Sequence, residues 1–215
     1  MSKYTEEQDD VQFSEPILAK KQVRCGIQFA EHTQWEVKTK KTWDIDQVNA
    51  MQDYLGKRYD ALKLAIQISD DSVKTEHAEA KPKLTIEDQF NLESYPYFDK
   101  KAGIVKKMGK SKLYQFEQAF GFDPVFMLDG QTVAPFVTKA GNKVAPKLEG
   151  VKRVINPDFF NAYFRITTDE FGAEKAIPVL DNWVGKVVYA DIEVETSEQF
   201  GSKNVIARYV KAPVI

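Results

Sequence analysis

The stretch Leu180–Ala212 constrains the fold more than any other part of this chain, because its apolar residues recur at every second position. Ala190, Ile192 and Val194 alternate with acidic residues, and Gly201-Ser202 follows as a turn signal. Successive side chains of a β-strand point to opposite faces of a sheet, so this spacing predicts a strand with one buried face. A second run, KNVIARYV, follows the turn. We therefore expect two antiparallel strands joined by a hairpin.

Three further strands are predicted upstream from the same two-residue period. Their apolar positions are Val23, Cys25, Ile27 and Phe29 in the first run, Leu62, Leu64, Ile66 and Ile68 in the second, and Leu84, Ile86, Phe90 and Leu92 in the third. Turn signals such as Asp129-Gly130 and Ala140-Gly141-Asn142 separate later short runs. Several short strands divided by turns are typical of an all-β barrel or sandwich.

Three short helical segments interrupt this pattern, at Asp44–Leu55, Ser111–Phe120 and Pro157–Phe164. Each begins at or beside a residue that can cap a helix, and a glycine follows the first two. Residues 1–15 are polar and acidic, and we expect them to be flexible. Residues 16–215 then form a single mainly β domain, with insertions near 44–57 and 125–180.

The residues that usually carry catalysis or bind metals are scarce. The chain has one cysteine and two histidines, which excludes an intramolecular disulfide framework and argues against a usual zinc site. Cys25 falls at an inward strand position, and Asp191 and Glu193 fall at solvated ones. Asp70-Asp71 is interpreted as a solvated turn, and there is no phosphate-binding glycine motif. We expect a protein that is not an enzyme and uses no metal or cofactor.

The sequence also predicts a cytoplasmic location, in the host cytoplasm if the protein is viral. No apolar run approaches the length of a transmembrane helix. The first residues, MSKYTEEQDDVQF, lack the basic and apolar regions of a secretory signal. No membrane partner is expected.

Positive charge is concentrated in the middle of the chain. The segment Lys100–Arg153 has 11 Lys or Arg and 4 Asp or Glu, a net charge of +7, within a chain whose total is −2. The remainder therefore carries −9. A lysine-rich surface that only keeps the protein soluble is one interpretation. The other is a basic groove, flanked by acidic surface, that binds phosphates locally.

Aromatic residues interleave with these lysines, as they do in proteins that bind single-stranded nucleic acid. The candidate binding residues are Tyr95, Tyr97, Phe98, Lys100, Lys101, Lys106, Lys107, Lys110, Lys152, Arg153, Tyr189, Arg208 and Tyr209. For Tyr189 and Tyr209, packing in the core is an equal alternative. Trp43 and Trp183 are interpreted as core or edge residues, and Phe116 and Phe120 as core.

The order of these elements resembles that of phage-type single-stranded DNA-binding proteins of the OB-fold. The resemblance is carried by three strands, a helix beginning SKLYQFEQAFGF, the run WVGKVVYADIEVE, a turn and KNVIARYV. It implies a five-stranded barrel with a helix between its third and fourth strands. The chain departs from that pattern by the insertion near 125–180 and by ending Lys211-Ala212-Pro213-Val214-Ile215 instead of in an acidic tail.

The function expected from these features is sequence-tolerant binding of single-stranded DNA in replication or recombination. A basic groove would track the phosphates and aromatic rings would stack on the bases. Replication or recombination proteins are candidate partners, and self-association is left open. The alternative is a β-rich structural or assembly protein of a virus that contacts other proteins and not nucleic acid.

Overall fold

A computed structural model describes residues 14–78, 80–109, 111–139, 141–169, 172–198 and 201–213. The protein is mainly β, as predicted. Its strands are β1 (Ser14–Glu15), β2 (Lys20–Glu36), β3 (Arg58–Ile68), β4 (Lys81–Pro82), β5 (Thr85–Asn91), β6 (Tyr95–Asp99), β7 (Ile104–Met108), β8 (Val125–Leu128), β9 (Gln131–Val133), β10 (Phe136–Val137), β11 (Lys143–Val144), β12 (Lys152–Val154), β13 (Phe164–Thr168), β14 (Glu174–Pro178), β15 (Val187–Ser197) and β16 (Gly201–Val210).

Three short α-helices lie close to their predicted positions: α1 (Ile45–Met51), α2 (Ser111–Ala119) and α3 (Pro157–Tyr163). A capping box formed by Asp44 and Gln47 starts α1, and Asn156 caps α3 ahead of a proline at the first turn. Two 3-10 turns, Gln52–Tyr54 and Leu180–Asn182, complete the helical content of the described residues. No helix in this part of the chain is long and apolar enough to cross a membrane.

The central sheet has five strands in the order β16-β15-β2-β3-β5, and neighbouring strands are antiparallel. Its inner face is formed by the predicted alternating residues, and Val23, Ile27 and Leu64 have no exposed surface. Residues 14–15, predicted as part of a flexible segment, pair with β4 in a short parallel ladder. Residues 1–13 lie outside the described chain.

Phe29 does not follow the predicted alternation. The register of β2 against β3 shifts between Ile27 and Phe29, where one extra residue, Gln28, is accommodated. Such a bulge reverses which face the following side chains point to. Phe29 is consequently 50% exposed, and the next inward position is Ala30. The prediction that Phe29 is a core residue was wrong for this reason.

The five-stranded sheet does not close into a barrel among the described residues, because its edge strands β5 and β16 share no backbone ladder. Side chains bridge the gap instead. The Tyr209 hydroxyl on β16 donates to Asp88 Oδ2 on β5 at 2.8 Å, and Lys112 on α2 pairs with the same carboxylate. Gln115 of α2 accepts a hydrogen bond from the Tyr209 backbone N–H at 3.0 Å. Helix α2 therefore holds the two edges together.

An aromatic cluster around Trp183 fills the space between α2, α3 and the sheet. Trp183 is fully buried, and its ring centroid lies 5.4 Å from that of Phe116 and 5.2 Å from that of Tyr163. Phe90, on β5, stacks on Phe116 at 5.0 Å. This cluster joins the predicted insertion to the central sheet in one core, and it confirms the core interpretation of Trp183 and Phe116.

Arg153, predicted to bind nucleic acid, is a structural residue. Its Nη2 donates to Glu117 Oε1 at 3.0 Å, and Glu117 has no exposed surface. The guanidinium lies over the Tyr114 ring, 4.3 Å from its centroid, and also donates to the Tyr114 carbonyl at 3.2 Å. The second Glu117 oxygen accepts from the Asn156 backbone N–H at 2.8 Å. Arg153 thus neutralises a buried charge and fastens β12 to α2, while Glu117 itself holds the residue that caps α3.

Replacing Arg153 should therefore destabilise the fold. Because Arg153→Ala leaves the buried Glu117 carboxylate without its counter-charge, we expect the free energy of unfolding to fall by about 3 kcal/mol. Urea denaturation followed by circular dichroism measures this change. Lys152→Ala, at the exposed neighbouring position, is the matched control and should change stability by less than about 0.5 kcal/mol. Equal stability of the two variants would contradict the structural role.

Candidate functional site

A cleft of about 700 Å³ lies where β2 ends, between the connection to β3 and the β6–β7 hairpin. Aromatic side chains dominate its lining: Trp35, Trp43, Tyr95, Tyr97 and Phe98. Amides and charged groups complete it, namely Gln89, Asn91, Glu36, Lys38 and Lys40. We call this the aromatic cleft. A concave site with rings and a few convergent polar groups is the usual form of a ligand-binding site.

The β2–β3 connection forms one wall of the aromatic cleft and is fixed at its base. The Val37 N–H donates to the Lys57 carbonyl, and the Gly56 N–H donates to the Val37 carbonyl, both at 3.0 Å. Gly56 has a φ of +79°, a conformation that glycine adopts without steric cost. Met51 of α1, which is 1% exposed, packs at the back of the cleft. The wall is therefore a structured element and not a loose loop.

Trp35 is held in place by three neighbours. Its Nε1–H donates to Asn91 Oδ1 on β5 at 2.6 Å. Its ring stands edge-on to Tyr95, with centroids 4.8 Å apart at 90°, and stacks on Tyr59 at 5.6 Å. Burial raises the pKa of the Tyr95 hydroxyl, which also bonds to Asn91. The cleft is thus pre-formed, which lowers the entropic cost of binding a ligand.

Lysines surround these rings. Lys38 and Lys40 line the aromatic cleft, and Lys106 lies directly across the β6–β7 ladder from Tyr97. Lys106 also forms an ion pair with Asp99 at 2.5 Å, and that hydrogen bond is the main reason the pKa of Asp99 lies below its usual value. The other predicted lysines of this hairpin are exposed: Lys100, Lys101 and Lys107.

The structure brings together only part of the predicted site. Tyr95, Tyr97 and Phe98 line the aromatic cleft, and the hairpin that carries them also carries Lys100, Lys101, Lys106 and Lys107. Lys152 is exposed on β12, a strand of the separate β12-β8-β9 sheet. Lys110 lies outside the described residues. The segment Lys100–Arg153, with its net charge of +7, is therefore divided between separate sheets and does not lie on a single one.

The candidates on the last two strands belong to other environments. Tyr209 is 3% exposed, and its ring centroid is 3.8 Å from that of Phe116, so it is a core residue that a base cannot reach. Arg208 donates to Asp191 Oδ2 at 2.7 Å, and Tyr189 is half-buried on β15. Asp191, predicted to be solvated, is 7% exposed because the Gln22 backbone N–H and Arg208 both bind it.

The sequence interpretation missed several lining residues of the cleft, among them Trp35, Lys38, Lys40 and Asn91. A signal for three of them was present in the run WEVKTKKTW, residues 35–43, where two tryptophans bracket three lysines. This run has the same aromatic and basic composition as residues 95–107. Trp43, interpreted as a core or edge residue, is half-buried in the cleft lining. Nothing local to Asn91 indicates its role, which depends on the pairing of β5 with β3.

A buried carboxylate anchors the sheet near the cleft. Asp60, 5% exposed, accepts hydrogen bonds from Gln34 at 2.8 Å and Lys175 at 2.7 Å, with His32 Nε2 at 3.1 Å. Burial works to raise the pKa of Asp60, but Lys175, Gln34 and His32 together hold it below the usual value. Because Lys175 belongs to β14, this contact fastens the β13–β14 hairpin to β3.

Two observations on the described residues concern metal binding and thiol chemistry. Within the described ranges, no three His, Cys, Asp or Glu side chains are grouped to hold a metal ion. Cys25 has no exposed surface, and burial, with a smaller effect of Asp70, raises the pKa of its thiol to about 12. A protonated, buried thiol is a poor nucleophile.

No known protein family, curated protein or solved structure matches this chain. The resemblance to phage-type single-stranded DNA-binding proteins therefore remains a prediction.

Neutralising Asp60 should lower the free energy of unfolding at neutral pH. It should also make the stability of the protein less dependent on pH in the acid range. Asp60→Asn removes charge-assisted hydrogen bonds, and we expect a loss of about 2 kcal/mol at neutral pH. Because the folded-state pKa is depressed, this contribution is complete above the ordinary aspartate pKa and is lost as the pH falls through the lower, folded-state pKa. The difference between variant and parent, measured by thermal unfolding across that range, should shrink towards acid pH. Asp71→Asn, in an exposed turn, is the control.

Proposed function

We propose that this protein binds single-stranded DNA without strong sequence preference, and that the aromatic cleft is its binding site. The observation that supports this most directly is the convergence of five aromatic side chains with lysines on one pre-formed cleft. Each base stacked on a ring contributes on the order of 1–3 kcal/mol, whatever the base. The lysines supply the positive charge that attracts the phosphates of the backbone.

The order of the strands supports the same proposal. Along the chain, β2, β3 and β5 precede α2, and β15 and β16 follow it. The helix spans the gap between the third and fifth of these strands, which is the arrangement expected of an OB-like barrel opened at one seam. OB-folds bind oligonucleotides at the face of their second and third strands and at the loop that precedes the second. The aromatic cleft involves the corresponding loop and β5.

The charges of the cleft favour an anionic ligand. A cluster of rings also suits a quaternary ammonium group, and Glu36 in the lining is the residue that would favour one. Lys38 and Lys40 in the same lining outnumber it, and the adjacent hairpin adds further lysines. On this proposal the protein acts in replication or recombination of viral or mobile DNA in the host cytoplasm, beside other proteins of those processes.

An assembly role without nucleic acid is the second candidate. It is favoured by exposed apolar side chains far from the cleft residues in sequence, including Phe136 at 60% and Leu148 at 56% exposure. A labelled oligo-dT separates the two candidates. Absence of binding at low salt would eliminate the DNA proposal. Equally tight binding of duplex would point to a general polyanion binder.

Removing rings from the cleft should weaken binding. Trp43→Ala and Tyr97→Ala each delete one stacking surface, so we expect the Kd for a short oligo-dT to rise by about tenfold, the equivalent of 1.4 kcal/mol. Fluorescence anisotropy at fixed salt measures the change. Phe136→Ala removes an exposed ring outside the cleft and should leave the Kd unchanged. Equal effects of all three substitutions would argue against the cleft as the site.

Reversing charge beside the cleft should weaken binding and flatten its salt dependence. In one variant Lys38→Glu is combined with Lys40→Glu, and in another Lys106→Glu with Lys107→Glu. Each lost phosphate contact should reduce the slope of log K against log salt by about 0.7. Because the Lys106–Asp99 pair is exposed, the fold should tolerate its loss. Lys152→Glu is the matched control. If it changed the slope of log K against log salt as much as the two double variants do, lysines near the cleft would be no more important for binding than distant ones.

A further inference from the structure

The aromatic cleft is lined by two amide side chains that differ in their hydrogen bonding. Asn91 is already engaged, because its Oδ1 accepts from Trp35 Nε1 at 2.6 Å and the Tyr95 hydroxyl bonds to it as well. Gln89 also lines the cleft and is exposed. In the described part of the chain, its side-chain amide forms no hydrogen bond with another residue. One amide therefore fixes the rings of the cleft, and the other is available to a ligand.

Gln89 and Asn91 point to the same face of the sheet. They are two positions apart on β5, and the pairing of β5 with β3 has no register shift from Thr85 to Asn91. Phe90, between them, is 5% exposed and stacks on Phe116 at the inner face. Side chains two residues apart on a strand share a face and are separated by about 7 Å. Gln89 is therefore one step along β5 from the amide that holds Trp35.

Trp35 reaches Asn91 by crossing β3. Ala61 lies between the two strands in the ladder, opposite Asn91 on one side and Thr33 on the other. It has no exposed surface, although it lies on the same outer face as Asn91. The indole spans this small residue to donate its hydrogen bond to Asn91. Gln89, one step further along β5, is not covered and keeps its amide at the surface of the cleft.

The charged groups of the cleft lining are less suited to contact a base. Lys38 and Lys40 carry positive charge, which attracts the phosphates of the backbone. Glu36 follows Trp35 directly on β2 and lies opposite Arg58 in the ladder, so its side chain points to the other face of the sheet from the indole. Among the lining residues that the sheet supplies, Gln89 is therefore the one with a polar group open to a base.

An amide suits the edge of any base. Its oxygen accepts a hydrogen bond and its nitrogen donates, and the two groups exchange places when the side chain turns over. The bases of a single strand expose their Watson–Crick edges, and each edge has at least one donor and one acceptor. A carboxylate or an ammonium group supplies only acceptors or only donors, so it would discriminate between bases.

We infer that Gln89 hydrogen-bonds to the edge of a base that the rings of the aromatic cleft hold by stacking, and that its amide makes this contact with any base. The inference rests on the proposed binding of single-stranded DNA and gives each group of the cleft a separate part of the nucleotide. The rings contact the face of the base, the lysines attract the phosphate, and Gln89 contacts the edge. The amide thus adds affinity without adding base preference.

Removing the amide should weaken binding only where a base is present. In Gln89→Ala the Kd for a short oligo-dT and for an oligo-dC should each rise by about fivefold, because one hydrogen bond is lost. For an abasic oligonucleotide of the same length, the variant and the parent should bind equally. Fluorescence anisotropy at fixed salt measures the three Kd values. Gln67→Ala removes an amide of the same sheet outside the cleft and should change none of them.

Replacing the amide with a carboxylate should create a base preference. The side chain introduced by Gln89→Glu only accepts, so it favours cytosine, whose amino group donates, over thymine, which has no amino group. The ratio of the Kd for oligo-dT to that for oligo-dC should rise by about fivefold relative to the parent. The added negative charge weakens both complexes alike. Lys107→Glu, which changes the charge of the exposed hairpin, should therefore leave the ratio unchanged.

Three results would overturn the inference while the variants remain folded by circular dichroism. They are an unchanged ratio in Gln89→Glu, an unchanged Kd for oligo-dT in Gln89→Ala, and an equal loss of affinity for abasic DNA, which would mean that Gln89 acts on the backbone or on the cleft itself. If Trp43→Ala and Tyr97→Ala weaken binding while the Gln89 variants do not, the cleft binds DNA and only the edge contact fails. A parent protein that binds no oligonucleotide at low salt would overturn both proposals.

Discussion

The packing of aromatic rings around Trp183 is the contact on which the rest of the structure depends. A five-stranded sheet whose edges do not pair leaves an open side, and apolar residues on its inner face must be covered there. Phe116 from α2, Tyr163 from α3 and Phe90 from β5 meet on Trp183 and supply that cover. The buried Glu117–Arg153 pair then fixes the insertion in one orientation on α2. The sheet, the helices and the insertion therefore share one core.

This arrangement leaves the opposite part of the sheet free to carry a binding site. The aromatic cleft is assembled from the end of β2, the connection to β3, and the β6–β7 hairpin, none of which contributes rings to the Trp183 cluster. Its own rings are held by polar contacts, such as the hydrogen bond from Trp35 to Asn91, and not by burial alone. A cleft built in this way keeps ring surface accessible without collapsing inwards, which is the property that a stacking ligand requires.

The sequence predicted the elements better than their assembly. Alternation located the strands of the central sheet, and capping residues located the three helices. For α2 and α3, the predicted bounds lie within one or two residues of the observed ones. It failed at Phe29, because a bulge depends on how two strands pair and not on the spacing within one. It failed again at Arg153 and Asp191, and it left Tyr209 undecided between core and surface, because polar or aromatic character suits a surface equally well. Their partners Glu117, Gln22 and Asp88 lie from 36 to 169 residues away in sequence.

The candidate site shows the same division. Composition alone identified the run from Tyr95 to Lys107 as aromatic and basic, and the structure places its rings in a cleft. The sequence by itself thus determined the mainly β architecture and the kind of chemistry present, because period and composition are local properties. Only the tertiary structure decided that Trp35, Lys38 and Asn91 join that cleft, while Arg153 pairs with the buried Glu117 and Tyr209 packs in the core. Strand pairing and the burial of charge bring distant residues together, and no local pattern records which ones meet.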